Sequence, residues 1–442
     1  MKYYSLTDNN NTASFSEAVI RGIAPDRGLY FPESTLRLNE DFLAAIAAKS
    51  MVEIGVEVMR PFVGGTIPEV RLEKIIADTL CFDFPVNKIN DNTAALELFH
   101  GPTMAFKDVG ARFMARCIGY FNEQSPKKVT VLVATSGDTG GAVASGFLGI
   151  KGTEVIILYP KGKVSHIQEL QLTTNDNNIK AVEVDGVFDD CQEMVKSAFI
   201  DADLNGKLNL TSANSINVAR WLPQSLYFFF AYQQFQRMGI DKKLAFSVPS
   251  GNFGNICAGI VAKRLGLPVS HFIASTNSND TVPRYLQTKG YQPKPSKQTI
   301  SNAMDVGNPS NFVRIQSLYG NDFDALKQDF SSYAYNDVQT KLALAELHQK
   351  HNYIADPHGA VGYLGLQHFL ANNSDHYGIF LETAHPIKFR DTVEETLGLT
   401  LEIPTQIQHI LDKTPEKTSL SGYDGFKAVS YTHLTLPTIH RV

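Results

Sequence analysis

The sequence predicts an α/β fold with largely parallel sheets, and two observations carry that prediction. Short, continuous, apolar runs rich in β-branched residues recur along the chain: 129–134 (VTVLVA), 154–159 (EVIILY), 179–184 (IKAVEV), 244–248 (LAFSV), 271–274 and 378–381 (GIFL). Strands covered on both faces look like this, and parallel strands are such strands. Between the runs lie helical patterns at 141–148, 166–173, 189–199, 253–265 and 357–370. Strands separated by helices of crossover length read as βαβ units. The stretch at about 125–205 reads as a smaller α/β unit set into a larger one at 94–427.

Ahead of these units, residues 1–93 read as a separate, mainly helical unit. A helix is expected at 15–21, then a turn into an extended segment at 28–32, then amphipathic helices at 41–49, 51–62 and 67–78, punctuated by Pro61, Gly64, Gly65 and Pro68. The unit shows no residue pattern of its own for chemistry, so its expected role is to pack against the rest. At the other end, 428–442 completes no helical or strand pattern and is expected to be a dispensable or non-native tail.

The first chemical signal is at 100–108 (HGPTMAFKD). A short strand is expected at 94–99. Beyond it Val109, Phe113, Cys117 and Phe121 recur at helical spacing. Lys107 thus falls at a strand–loop–helix junction, where α/β proteins gather ligands. Partial desolvation and the positive end of the helix both favour the neutral amine that a Schiff-base lysine needs. A lone lysine at a helix start is ordinarily a surface residue, so two further junctions matter.

One is Ser250-Gly251-Asn252-Phe253-Gly254-Asn255, between the 244–248 run and the 253–265 helix. Glycines let the backbone N–H groups approach an anion, and the helix start adds donors that have no partner of their own. A phosphate fits there, against the plainer reading of a glycine-rich turn. The other is Thr135-Ser136-Gly137-Asp138-Thr139, after the 129–134 run. Its hydroxyls and N–H groups suit a small carboxylate. A dinucleotide loop there fails on spacing, because GxGxxG is absent. After the 378–381 run, Thr383 is positioned to offer a hydroxyl to a ligand ring or else to cap a helix. Glu382 points the other way if side chains alternate. His385 before Pro386 reads as a satisfied histidine. An imine-forming lysine, a phosphate site and a ring partner together are what pyridoxal phosphate requires.

Composition sets the outer bounds. The chain has 442 residues, 43% hydrophobic and 19% charged, with net charge −5 and mixed signs along its length. That excludes a nucleic-acid surface and a polybasic membrane patch. No run has the length of a membrane span, and no secretory leader is read at the start. The four cysteines (81, 117, 191, 257) are scattered, with neither metal-ligand nor CxxC spacing. A cytoplasmic enzyme with no metal is expected.

With those residues in view, the chain resembles the threonine synthases of the long form. These belong to the fold-type II, tryptophan synthase β-like, pyridoxal-phosphate enzymes. The resemblance is carried by RGLYFP (27–32), LELFHGPTMAFKDVGARF (96–113), ATSGDTGGAV (134–143), ILYPKGKVS (157–165), TSANSINVAR (211–220), VPSGNFGN (248–255), NDTVPRY (279–285), SNAMDVGNPSN (301–311), DPHGAVGY (356–363) and TAHPIKF (383–389). It covers nearly all of the chain to about 415; the segment from 428 departs from it, and Asn255 stands where many relatives carry aspartate.

The resemblance implies that Lys107 bears pyridoxal 5'-phosphate, that Gly251, Asn252, Phe253, Gly254 and Asn255 bind its phosphate, and that Thr383 faces its ring nitrogen. It implies that Ser136, Gly137, Asp138 and Thr139 line the site for the substrate carboxylate and the cofactor ring. Asn214 and Arg220 in the 212–220 segment are the implied second-phosphate residues, with Lys163 and Arg112 as rivals. The implied reaction turns O-phospho-L-homoserine and water into L-threonine and phosphate. Rival readings are another fold-type II lyase, such as a serine/threonine dehydratase or a phosphothreonine phospho-lyase, and a catalytically silent homologue. Monomer and homodimer remain open.

Overall fold

The computed structural model describes residues 1–123 and 128–435. Two parallel-rich sheets form its frame. The larger has six strands in the order Phe330–Ala334, His271–Thr276, Lys243–Pro249, His376–Glu382, Thr93–Glu97, Val86–Asn90. All of its pairings are parallel except the last, where Val86–Asn90 runs antiparallel to Thr93–Glu97. The smaller sheet has five parallel strands in the order Thr418–Leu420, Ile179–Val184, Thr153–Pro160, Val129–Ala134, Asn209–Ser212. Val129–Ala134 and Thr153–Pro160 are buried at every position, Thr130, Thr153 and Glu154 included, as strands covered on both faces are.

This order places the chemistry. His376–Glu382 lies between Lys243–Pro249 and Thr93–Glu97, all pointing the same way. The segments leaving these three neighbours (250–255, 383–385 and 98–106) therefore emerge side by side at the carboxyl ends of the strands, where open α/β sheets bind ligands. In the smaller sheet Val129–Ala134 and Asn209–Ser212 are likewise neighbours, so 135–139 and 213–217 emerge together.

The smaller sheet is wider than 125–205. Asn209–Ser212 joins one edge, and Thr418–Leu420 returns from far along the chain to pair with Val182–Val184 at the other. The 1–93 stretch holds helices Phe15–Arg21, Met51–Val63 and Glu69–Thr79 and a three-stranded antiparallel sheet of Thr12–Ala13, Tyr3–Ser5 and Tyr30–Pro32. It also supplies the edge strand Val86–Asn90 to the larger sheet.

The helix expected at 41–49 is broken. Glu40–Ala44 is helical, Ala45 leaves the helix at φ −89°, ψ 1°, and Ile46–Ala48 is a 3-10 turn. Side chains from the helix Ser225–Met238 compete for its carbonyls: Gln233 Nε2 donates to Ile46 O and Lys49 O, and Arg237 to Ala47 O. The absence of pattern expected after 428 is also corrected as far as Thr435, since a helix runs Gly422–Thr435. Phe426 and Ser430 are buried on it, and Ser430 Oγ donates back to Phe426 O. Residues 436–442 of the expected tail lie outside the described residues.

Candidate active site

Lys107 is the first residue of the helix Lys107–Glu123. The loop that delivers it is laced onto the Thr383 segment: Leu98 N donates to Glu382 O, Phe106 N to Thr383 O, and His385 N to Met104 O, at 2.9, 2.9 and 3.1 Å. Met104 takes a left-handed conformation, φ 54°, to make this turn. The register between Lys107 and Thr383 is therefore fixed by backbone. Lys107 keeps some surface towards a cavity, but protein encloses its amine. Burial pulls the amine down to about 8; Asp138 and Asp356 pull upward, offset in part by Lys388 and Arg220. Desolvation thus shifts the balance towards the neutral amine that the sequence led us to expect.

The same cavity is lined by Ser250 to Asn255, by Thr135, Ser136, Asp138 and Thr139, by Asn214 and Arg220, and by Thr383. Phe253 is left-handed, φ 61°, and the helix Gly254–Arg264 starts immediately after it with no side-chain cap. Among the described residues, the N–H groups of Gly251, Asn252, Phe253, Gly254 and Asn255 have no protein acceptor. The loop is instead held from its carbonyl side: Asn252 O accepts from Asn311 N and Nδ2, and Asn252 Oδ1 from Ser310 N. A Cβ at Gly251 would sit 2.7 Å from Met304 Cα, so only glycine fits. Both side-chain polar atoms of Asn255 are buried without a partner, an arrangement that is costly unless a ligand supplies the bonds.

In the second loop Thr135 Oγ1 accepts from Gly137 N and Gly140 N at 2.9 and 2.8 Å, curling the backbone. Gly137 adopts φ 133°, ψ −85°, and a Cβ there would meet Gln168 Cδ at 2.4 Å. Gly137 thus shapes the turn without itself lining the cavity. Asp138 accepts from Gln168 Nε2 at 2.9 Å and from Lys388 Nζ at 2.7 Å. Burial alone would raise its carboxyl, but the cations of Lys388 and Lys107 outweigh burial and hold it well below the usual carboxylate range.

Thr383 lines the cavity and is no helix cap; the cap of the turn Pro386–Phe389 is His385, whose Nδ1 accepts from Ile387 N. Burial brings His385 down to about 4, which keeps it neutral. Glu382 does face away. It is fully buried against Gly359, where a Cβ would meet its Oε1 at 1.9 Å, and burial with the nearby Asp356 raises its carboxyl well above the usual range.

Asn214 spends its amide on the backbone, with Nδ2 donating to Ala134 O and Oδ1 accepting from Ala134 N. Arg220 is 2% exposed, donates through Nη1 to Ala213 O, and leaves Nε unpartnered. Of the rivals, Arg112 is outside the site: its Nη2 donates to Asp78 O and contacts Cys81 Sγ, on the far side of its helix. Lys163 lines a cleft of about 580 Å³ that shares Ser136 and Phe188 with the inner cavity.

Three contributors were missed in the sequence, although the stretches holding two of them were singled out. Lys388 is the next-to-last residue of TAHPIKF and is fully buried beside Asp138. His358, in DPHGAVGY, lines the cavity; its Nε2 accepts from Ala303 N and its Nδ1 bonds Asp356 Oδ1 at 2.5 Å, so the proton sits on Nδ1. Arg314 holds the neighbouring loops from behind. Their long-range partners are invisible in sequence; a charged residue within a strongly apolar or glycine-rich stretch was the available signal.

A reactive amine, a row of unpaired N–H donors and an unsatisfied amide on one cavity fit an aldehyde that carries a phosphate. This defines the class: the chain is built as a pyridoxal-phosphate enzyme of fold-type II. Family models agree, matching "Pyridoxal-phosphate dependent enzyme" at 89–377, "Threonine synthase N terminus" at 2–80 and "Threonine synthase, C-terminal" at 359–429. The chain is 43% identical over 412 residues to the threonine synthase of Escherichia coli, covering 93% of this chain and 95% of that one. The crystal structure of threonine synthase from Escherichia coli superposes with a TM-score of 0.92 at 41% identity, covering 98% and 100% of the two chains. That of the pyridoxal-phosphate-bound threonine synthase from Brucella melitensis superposes with a TM-score of 0.92 at 33% identity, covering 99% and 100%. The chain belongs to the threonine synthase family.

Proposed function

We propose that the Lys107 cavity converts O-phospho-L-homoserine and water into L-threonine and phosphate, with pyridoxal 5'-phosphate as cofactor. The observation that carries this reading is the convergence on one cavity of Lys107, the unpaired N–H groups of 251–255 and Thr383. When bound, the cofactor supplies an aldehyde and a conjugated ring that takes up negative charge from the substrate. Lys107 Nζ holds the cofactor, and once displaced by the substrate amine it moves protons at Cα and Cβ. One positioned base of this kind contributes about 10²–10⁴ in rate per step. The backbone at 251–255 and the Asn255 amide hold the cofactor phosphate, and Thr383 Oγ1 faces the ring nitrogen. Ser136, Gly137, Asp138 and Thr139 form the substrate-carboxylate loop. Arg220, whose Nε is free of protein partners, takes the substrate phosphate, and Asn214 shapes the wall beside it.

The test is release of phosphate from O-phosphohomoserine with coupled detection of threonine, run beside threonine and phosphothreonine as substrates. Turnover of either of the latter two alone would overturn the reading in favour of a dehydratase or phospho-lyase. No helix among the described residues is long and apolar enough to cross a membrane. A cytoplasmic location and a monomeric or homodimeric state are part of this proposal; the free thiols of Cys81, Cys117, Cys191 and Cys257 support a reducing compartment. The division into units at 1–93 and 94–427, the latter holding a smaller α/β unit whose sheet extends beyond 125–205, is proposed with them.

A further inference from the structure

Lys388 stands on the turn Pro386–Phe389, directly after the Thr383 segment. Its side chain is 0% exposed, and its Nζ donates to Asp138 Oδ1 at 2.7 Å and to Thr103 O at 2.9 Å. The acceptors come from different parts of the fold. Asp138 opens a helix of the smaller sheet, and Thr103 belongs to the loop that delivers Lys107. Asp138 lines the inner cavity and Lys388 lines the outer cleft, so the pair forms part of the wall between them.

A carboxylate that is 3% exposed needs a cation close by. Asp138 interacts electrostatically with two lysines, Lys388 and Lys107. The contact is made by Lys388: among the described residues no ion pair joins Lys107 to Asp138. The other charges facing Lys107 are Arg220 and Asp356. Only an amine with a free lone pair adds to an aldehyde, after which water leaves and the carbon–nitrogen double bond forms. An ammonium locked to a carboxylate cannot begin that step.

We propose that Lys388 is a positioning residue for the nucleophile: by occupying the Asp138 carboxylate it keeps Lys107 unpaired and available as the uncharged amine. The inference rests on Lys107 being the cofactor-bearing lysine. Without Lys388, Asp138 would draw Lys107 into the ion pair and hold it protonated. Without Asp138, the freed Lys388 cation would repel a proton on Lys107.

The experiment follows adduct formation rather than turnover. Apo-protein is mixed with pyridoxal 5'-phosphate from about pH 6.5 to about 9.5, and the rate is read by absorbance. The labelled lysine is identified by borohydride reduction and peptide mapping. Lys388→Met is expected to move the midpoint of the rate–pH curve up by about one unit, a tenfold slower reaction at a fixed pH below it. Asp138→Asn is expected to move it down, the double variant to return it towards wild type, and Lys388→Arg to leave it in place. A purely structural clamp would lower thermal stability without opposite shifts, and that result overturns the proposal. If Lys388→Met does not fold, an unchanged or raised midpoint in Asp138→Asn overturns it alone. Labelling at a lysine other than 107, with full labelling retained in Lys107→Ala, sinks the site reading on which it rests. Labelling at Lys107 with unmoved midpoints sinks only the role of Lys388.

Discussion

At Lys107 the fold disfavours the charged amine, and the sign of that effect is measurable on stability. The folded group titrates at about 8 against an ordinary value of 10.5. Below about 8 both states hold the proton and the folded state bears the full penalty. Between about 8 and 10.5 the unfolded chain still binds a proton that the folded chain has lost, so stability rises with pH through that window. The urea midpoint of the apo-protein, relative to that of Lys107→Met, is therefore expected to be higher at about pH 10 than at about pH 7. A difference that stays constant contradicts a desolvated lysine. Thr383 offers a different kind of test, since its carbonyl accepts from Phe106 N whatever its side chain is. Thr383→Val keeps that bond, so the fold is expected to survive while cofactor affinity or turnover falls by about tenfold, the worth of one lost hydrogen bond. Equal affinity and rate, measured by absorbance titration and phosphate release, would take Thr383 out of the site.

The loop 250–255 is where a small change in an element is expected to be felt most. Gly251→Ala places a methyl 2.7 Å from Met304 Cα and 3.0 Å from Ala303 O, both backbone atoms that cannot swing aside. The Asn302–Met304 turn must then move off the loop, loosening one wall of the phosphate site. Cofactor affinity is expected to fall at least about tenfold, with the melting point of the apo-protein lowered by no more than about 2–4 °C for each kcal/mol lost. Elements of this kind were legible because parallel strands announce themselves as short runs rich in apolar, β-branched residues and their loops as glycine clusters; 129–134, 179–184 and the loops at 135–139 and 250–255 were all read from sequence. Elements whose identity depends on distant partners were not. Thr418–Leu420 is a strand only because Ile179–Val184 offers an edge. Phe330–Ala334 pairs with His271–Thr276 across intervening helices. Ser225–Met238 is apolar almost all round, so its period is hidden by burial. The same rule separates Lys107, found by its local junction, from Lys388, whose meaning comes from Asp138 and Thr103.

Across the whole molecule, the N-terminal unit is tied to the site by a guanidinium. Arg314 is fully buried with its face 5.0 Å from the Trp221 ring, and Trp221 stacks in turn on Phe31 at 5.7 Å. Its Nη2 donates to Tyr30 O and Ile216 O, and its Nη1 to Ser215 O and Asn311 Oδ1. Tyr30 is in the N-terminal sheet, 215–216 is beside Arg220, and Asn311 holds the carbonyl of Asn252 in the phosphate loop. Burial lowers Arg314 to about 9, which still leaves it charged near neutrality. Arg314→Leu strands several buried acceptors at about 1–3 kcal/mol each, so a loss of about 3 kcal/mol or more in unfolding free energy is expected, with weakened cofactor binding. The far end of the chain supplies the contrast. Tyr423 and Lys427 bond to Asp201 across to the smaller sheet's helices, and Ser430 Oγ bonds back within its own helix to Phe426 O. Truncation after Lys427 keeps the Asp201 contacts and is expected to preserve phosphate release and cost the unfolding midpoint little. A loss of folding on that truncation, together with an unaffected Arg314→Leu, would reverse the ranking and place the closure of the molecule at its C-terminal helix instead of at the Arg314 junction.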